Sequence, residues 1–417
     1  MGRCPCPGDQ AGQLSGAGGG PVRLLIYPHE LAMGGSQINA IELAAAVRDF
    51  GHEVVVFATP GVLLDRVAEL GLEFLEAPAR RHSVDAETVR RLIGAVDQRG
   101  INLIHSYEWA PSLDAFFGPA LLRGTPLVMT VLSMDVPGFL PRNVPLIVGT
   151  KGLADEQSTV RPLVHLMEPP VDTDFNASRG MLPARRQLGI EDHERVIAVV
   201  GRLTTDLGKV QGVLAAISVV DRIAEDRPAM LLVAGDGPGL REVRSSASAV
   251  NLRHGRVVIR VEGLVPDPRM IYDAADVVLG MGSSALRGMS FSKPVVVQGA
   301  DGFWSLCTPG NTARFLQDGF YGRGIQEDLE STLSRLLTDD DLRIALGAYG
   351  RTLVEENFSL GVAARRLLAV YEHGERRSRS MQAERIGDYL RTSVEVAKFR
   401  ASMRRQALAR QKQQRGP

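Results

Sequence analysis

Cysteine is scarce in this sequence, with 3 in 417 residues. Cys4 and Cys6 stand in a Gly/Pro-rich leader and Cys307 stands alone. Such spacing offers neither a disulfide framework nor a thiolate metal site, so a reducing, cytoplasmic setting is expected. Long apolar runs are also missing. Nothing approaches the roughly 20 residues of a bilayer span. The leader, Met1–Pro21, lacks an apolar segment of signal-peptide length and is expected to be disordered. Charge of one sign is absent overall, with 48 Lys+Arg against 48 Asp+Glu. The balance hides an asymmetry. Residues 374–417 hold 12 basic against 4 acidic residues, net +8, so residues 1–373 hold 36 against 44, net −8. The basic tail lacks interleaved aromatics and any recognised module, so nucleic acid is not an expected partner.

What is present is an alternation. VRLLIY (Val22–Tyr27) reads as a buried parallel strand, and Ser36 as the N-cap of an Ala-rich helix that Gly51 closes. EVVVFA (Glu53–Ala58), NLIHS (Asn102–Ser106), PLVMTV (Pro126–Val131) and PLIVGT (Pro145–Thr150) continue the strands, with helix-like stretches between them. EPPVDTDFNASRG (Glu168–Gly180) has the composition of a linker. Strands then restart with RVIAVVG, MLLVAG, RVVIRVEG, DVVLG and PVVVQG. Two tandem Rossmann-like, doubly wound α/β domains follow, with a ligand cleft expected between them at the carboxyl ends of the strands. The expected division is a leader over 1–21, domains over 22–170 and 171–358, and helices with a basic tail over 359–417. In that tail Ile386, Leu390, Val394, Ala397 and Ala401 form an apolar stripe at helical spacing. The stripe suits packing across the domains, or peripheral contact with the inner face of an anionic membrane.

GRLTTDLGKVQG (Gly201–Gly212) is the most telling segment. It places a Gly turn, Arg202 and Lys209 between a strand and a helix, where two fixed cations and free helix amides suit a diphosphate. Gly34 and Gly35 open the first helix and let a ligand approach the backbone. Gly235–Pro238, with Gly237, reads as turn chemistry before a Pro-initiated helix, with its glycines beside the cleft. No Asp-x-Asp pair is placed to hold a metal, and no cofactor is expected.

MGGSQINAIELAAAVRDFGHEVVVF, PPVDTDF, GRLTTDLGKVQG, LLVAGDGPGLREV, VEGLVPDPRMIYDAADVVL and RGMSFSKPVVVQG, in that order, resemble the GT-B retaining glycosyltransferases of family four. The resemblance spans roughly Val22 to Tyr371. It implies transfer of a sugar from a nucleotide-sugar donor, held by the C-terminal domain, to a glycan, lipid-linked or small-molecule acceptor on the N-terminal domain. It also implies that Arg202 and Lys209 stabilise the leaving diphosphate.

Two departures stand out. The family's Glu-x7-Glu motif is missing. Arg287 occupies the place of the second Glu, which usually holds the donor ribose, and no carboxylate lies between Asp276 and Pro294. Gly280, Gly282, Ser283 and Ser284 remain as a Gly/Ser turn able to cradle phosphate, with Arg287 one turn on. The His that the family often places after a strand like PLVMTV is also missing. Asp135 and Ser133 stand near that place, and His29 and His105 are the other acceptor-side candidates. These losses leave open a degenerate protein that binds a nucleotide sugar or partner without turnover. A GT-B isomerase such as a nucleotide-sugar epimerase is a third reading.

Overall fold

The computed structural model describes residues 22–80, 82–133, 135–300, 302–324, 326–380 and 382–414. The leader with Cys4 and Cys6 lies outside them. Seven strands form the first sheet: β1 Arg23–Tyr27, β2 Glu53–Ala58, β3 Glu73–Glu76, β4 Leu103–Tyr107, β5 Leu127–Val131, β6 Leu146–Val148 and β7 Val164–Leu166. Their order is β3-β2-β1-β4-β5-β6-β7, and every pair is parallel. Leu24, Leu25, Ile26 and Tyr27 are all fully buried. A strand apolar on both faces needs helices on both sides, which parallel crossovers supply.

Six strands form the second sheet: β8 Arg195–Val200, β9 Ala229–Ala234, β10 Ile259–Gly263, β11 Val277–Gly280, β12 Val295–Gln298 and β13 Trp304–Leu306. Their order is β10-β9-β8-β11-β12-β13, parallel except for the antiparallel edge strand β13. The pair of doubly wound sheets expected from the alternation is present. The sequence reading missed the short strands β3, β7 and β13, whose three or four residues carry too little pattern to stand out.

The chain crosses between the two halves twice, side by side. Val171 donates its amide to Phe358 at 2.8 Å. Beyond Ser359 the helix Leu360–Ser380 returns to the first half, where Ala364, Leu367 and Tyr371 join the core around Leu24, Ile41 and Ala44. The last helix, Gln382–Gln414, packs on the same half. Asp388 accepts the amides of Arg142 and Asn143 at 2.9 and 2.8 Å, Arg391 donates to the Gly138 carbonyl at 3.0 Å, and Phe399 lies 4.8 Å from Phe139. The packing face is Asp388, Thr392, Val396 and Phe399, not the expected apolar stripe. Ile386, Leu390 and Val394 are 63%, 59% and 53% exposed.

Candidate functional site

In each sheet the strand order reverses once, between β1 and β4 and between β8 and β11. Adjacent crossovers diverge there to opposite faces and leave a crevice at the carboxyl ends. Every glycine loop singled out in the sequence, apart from Gly235–Gly239, leaves one of these four strands.

After β8, Leu207 and Gly208 adopt left-handed conformations (φ 56° and 69°) before the helix Lys209–Asp226 begins. The turn therefore starts the helix at Lys209 itself, and two consecutive left-handed residues explain the glycine. Gln298, at the end of β12, fixes this loop by donating to the Gly208 and Lys209 carbonyls at 3.0 and 3.3 Å. Arg202 is exposed, and the Lys209 ammonium lies 3.7 Å from Asp206. The nearby Thr204 hydroxyl, then the charges of Lys209 and Arg202, hold the Asp206 carboxyl below its usual range. A diphosphate at this mouth would compete with Asp206 for Lys209.

Gly235–Gly239 buttresses the Arg202 loop. Leu203 donates to the Asp236 carbonyl and Gly239 to the Leu203 carbonyl, both at 2.9 Å. A Cβ on Gly235 would sit 1.9 Å from the Gly201 carbonyl oxygen, and one on Gly237 (φ 144°) 2.6 Å from that of Leu203. Backbone lies directly on backbone, which only glycine permits. The following helix starts at Leu240, capped by Gly239, so Pro238 sits in the turn and does not initiate the helix.

After β11, Gly282 (φ 53°) precedes the helix Ser283–Ser290 and donates its amide to the Phe320 carbonyl at 2.9 Å. The Ser284 hydroxyl is engaged locally with the Met281 carbonyl and amide at 2.9 and 3.2 Å. Arg287, one turn further on, is half-buried, and its Nε is buried without a hydrogen-bond partner. Its charge acts on Glu42, which belongs to the first helix of the other half and is 6% exposed. Burial raises the Glu42 carboxyl above its usual range, and Arg287 opposes that rise. The Arg287 charge is thus felt at the first helix of the other half. Glu42 gave no signal in the sequence, because a Glu within an Ala-rich helix reads as a solvated position.

On the N-terminal side, the helix Gly35–Asp49 is capped by Gly34, not Ser36. Nothing lies within 4 Å of a Cβ placed on Gly35, so that backbone borders open space. The Ser36 hydroxyl instead donates to Glu108 at 3.0 Å. Glu108 directly follows β4, and its carboxylate also accepts the Leu132 amide at 3.1 Å and the Ser133 hydroxyl at 2.7 Å. One side chain thus joins the ends of β4 and β5 to the start of the first helix. Its own backbone is left-handed (φ 65°, ψ 173°), a conformation that costs a non-glycine residue about 1–3 kcal/mol and concentrates at functional sites. Glu108 was not singled out in the sequence, because nothing local marks a Glu for such a conformation.

His29, after β1, is also left-handed (φ 75°), and burial followed by the Arg80 charge lowers its pKa. Asp135 is exposed in the loop after β5. His105 is not brought to the cleft. It is fully buried, with Nδ1 2.8 Å from the Tyr371 hydroxyl and Nε2 2.6 Å from that of Thr130. Burial lowers its pKa to about 3, so it is a neutral core group with both nitrogens engaged. Among the described residues no group of three or more His, Cys, Asp and Glu could hold a metal ion. No described helix is long and apolar enough to cross a membrane.

Comparison with known proteins matches residues 34–171 to the Glycosyl transferase 4-like domain and residues 194–339 to Glycosyl transferases group 1. A D-inositol 3-phosphate glycosyltransferase of Corynebacterium jeikeium is 29% identical over 221 residues, 50% of this chain and 51% of that protein. The chain thus spans about half the length of this relative. Another protein of the same description, from Kribbella flavida, is 25% identical over 395 residues, 81% of this chain and 90% of its own. Among solved structures, Anabaena HepE in complex with UDP and glucose superposes with a TM-score of 0.68 at 14% identity, over 84% of this chain and all of that one. A glycosyltransferase from Rickettsia africae gives 0.68 at 14%, over 85% and 98%. At these identities the structures share the GT-B fold with this chain.

Proposed function

Because this chain belongs to the retaining glycosyltransferases of family four, we propose that it moves a sugar from a nucleotide-sugar donor to an acceptor hydroxyl in the crevice between its two sheets. What supports this reading is that Arg202 and Lys209 follow β8 while the Gly282–Ser284 turn follows β11, its neighbour in the sheet. Both loops leave neighbouring strands at one switch point, a place suited to a diphosphate, and the first of them carries two cations. The acceptor oxygen bonds to the anomeric carbon as the bond from that carbon to the diphosphate breaks. The electron pair leaves on the outer phosphate, which also takes the acceptor's proton. Arg202 and Lys209 stabilise the charge that develops there, so the step needs no metal.

The N-terminal rim offers open backbone at Gly35, the hydroxyls of Ser36 and Ser133, and the Glu108 carboxylate. These groups suit a polyhydroxylated acceptor such as a glycan, a lipid-linked glycan or a small polyol. The D-inositol 3-phosphate in the relatives' names falls in the last class. The experiment is a thermal-shift panel of nucleoside diphosphates and their sugars, followed by an assay of nucleoside-diphosphate release with and without a chelator. A ligand at 100 times its Kd adds about 2.7 kcal/mol of stability. Absence of any shift and of any release would sink the reading, and loss of release on chelation would sink its metal-free form.

A further inference from the structure

We propose that the outward face of the last helix docks on an anionic lipid bilayer, a function separate from the chemistry of the cleft. Successive four- and three-residue steps place Ile386, Leu390, Val394, Ala397 and Ala401 along one side of this helix. The opposite side, with Asp388, Thr392 and Val396, is buried against the N-terminal half. The stripe is therefore not core. Its first three members, Ile386, Leu390 and Val394, are large aliphatic side chains, each more than half exposed.

The charges beside the stripe choose the occupant. Arg400, Arg404 and Arg405 are exposed along this helix, beside the stripe. Arg400 donates to the Ser83 hydroxyl at 2.7 Å and to the Val84 carbonyl at 3.4 Å, both neutral partners. Lys398 is held at 2.8 Å by Glu395. Between Ile386 and Arg405 the only acids are Asp388, which is buried, and Glu395, which is already paired. Aliphatic side chains flanked by unopposed guanidiniums match the boundary between acyl chains and anionic headgroups. A self-complementary contact between two copies would bring these guanidiniums together instead.

A second feature adjoins the stripe. A groove of about 770 Å³ runs between this helix and the N-terminal half. Val84, Phe117, Val396 and Ala401 supply apolar lining, and Arg400 and Arg404 stand beside it. Its lining suits an acyl chain whose headgroup meets the two arginines. Leu121 and Leu122, just past Phe117, are 40% and 57% exposed and extend the apolar surface of the N-terminal half.

The test is co-sedimentation of the full chain with vesicles of phosphatidylcholine alone or mixed with phosphatidylglycerol. The chain should pellet with the anionic vesicles and be released by salt, because the Debye length falls from about 10 Å at 0.1 M to about 3 Å at 1 M. Neutralising Arg404 or Arg405 to Gln should each lower partitioning about fivefold. A triple variant, Ile386→Ser, Leu390→Ser and Val394→Ser, should lose binding while its thermal unfolding stays intact, since these side chains are exposed. Equal pelleting with neutral vesicles would overturn the proposal, as would no pelleting at all. If a light-scattering mass of two chains accompanies the lack of pelleting and falls to one in the triple variant, the occupant is a second copy.

Discussion

Ser36 donates a 3.0 Å hydrogen bond to Glu108, which joins the start of the first helix to the end of β4. With the Leu132 amide and the Ser133 hydroxyl on the same carboxylate, three loops at the N-terminal rim share one anchor. These bonds hold the strained backbone of Glu108 in place.

Glu108→Gln should keep the fold but weaken the anchor, because an amide nitrogen cannot accept what a carboxylate oxygen accepts. Losing one charge-assisted bond costs about 1.5–3 kcal/mol. We expect kcat/KM for the acceptor to fall by roughly 10- to 100-fold, with nucleoside-diphosphate affinity unchanged. Steady-state kinetics beside calorimetry would show this. Equal losses for acceptor and donor would remove Glu108 from the acceptor side.

Arg202→Ala and Lys209→Ala should each weaken nucleoside-diphosphate binding by about 1.5–3 kcal/mol. Calorimetry on both variants, with folding checked by circular dichroism, is the measurement. Gln298→Ala should produce a smaller loss, since it frees the loop without removing a charge. Unchanged affinity in both cation variants would discard the diphosphate site.

Arg287→Glu would restore a carboxylate at the position where the family usually carries one, but here it would oppose Glu42. Two facing carboxylates in a half-buried place disfavour ionisation of both. Donor affinity and turnover should therefore fall, and Glu42→Gln in the same chain should recover part of the stability lost. Full activity in the single Arg287→Glu variant would show that Arg287 does not serve the site.

His105 makes stability depend on pH in a defined direction. Its folded pKa of about 3 lies below the unfolded value of 6.5, so between them only the unfolded chain binds the proton. The stabilisation is present above pH 6.5 and is lost as pH falls, by about 1.4 kcal/mol per unit. Between pH 7 and pH 5 the native protein should lose about 2 kcal/mol more than His105→Gln does. Urea unfolding at the two pH values tests this, and parallel losses would show that His105 is not the group responsible.

The alternation of apolar runs with helical stretches sufficed to identify two doubly wound sheets, because a strand buried on both faces has to be continuously apolar. The glycine punctuation located the loops after β1, β8 and β11 for a similar reason, since Gly208 and Gly282 need left-handed backbone. Side-chain partners across the fold were out of reach of any local pattern. Glu108, Glu42 and Gln298 act on residues 72, 245 and 90 positions away in the chain. His105 looked like a rim group and became core, because the helix carrying Tyr371 returns from beyond the second sheet to cover it. The stripe from Ile386 to Ala401 was legible as a helix face, yet its periodicity could not say which way it points. Tertiary packing decided that, when Asp388 found two backbone amides and Phe399 found Phe139 on the other side of the helix.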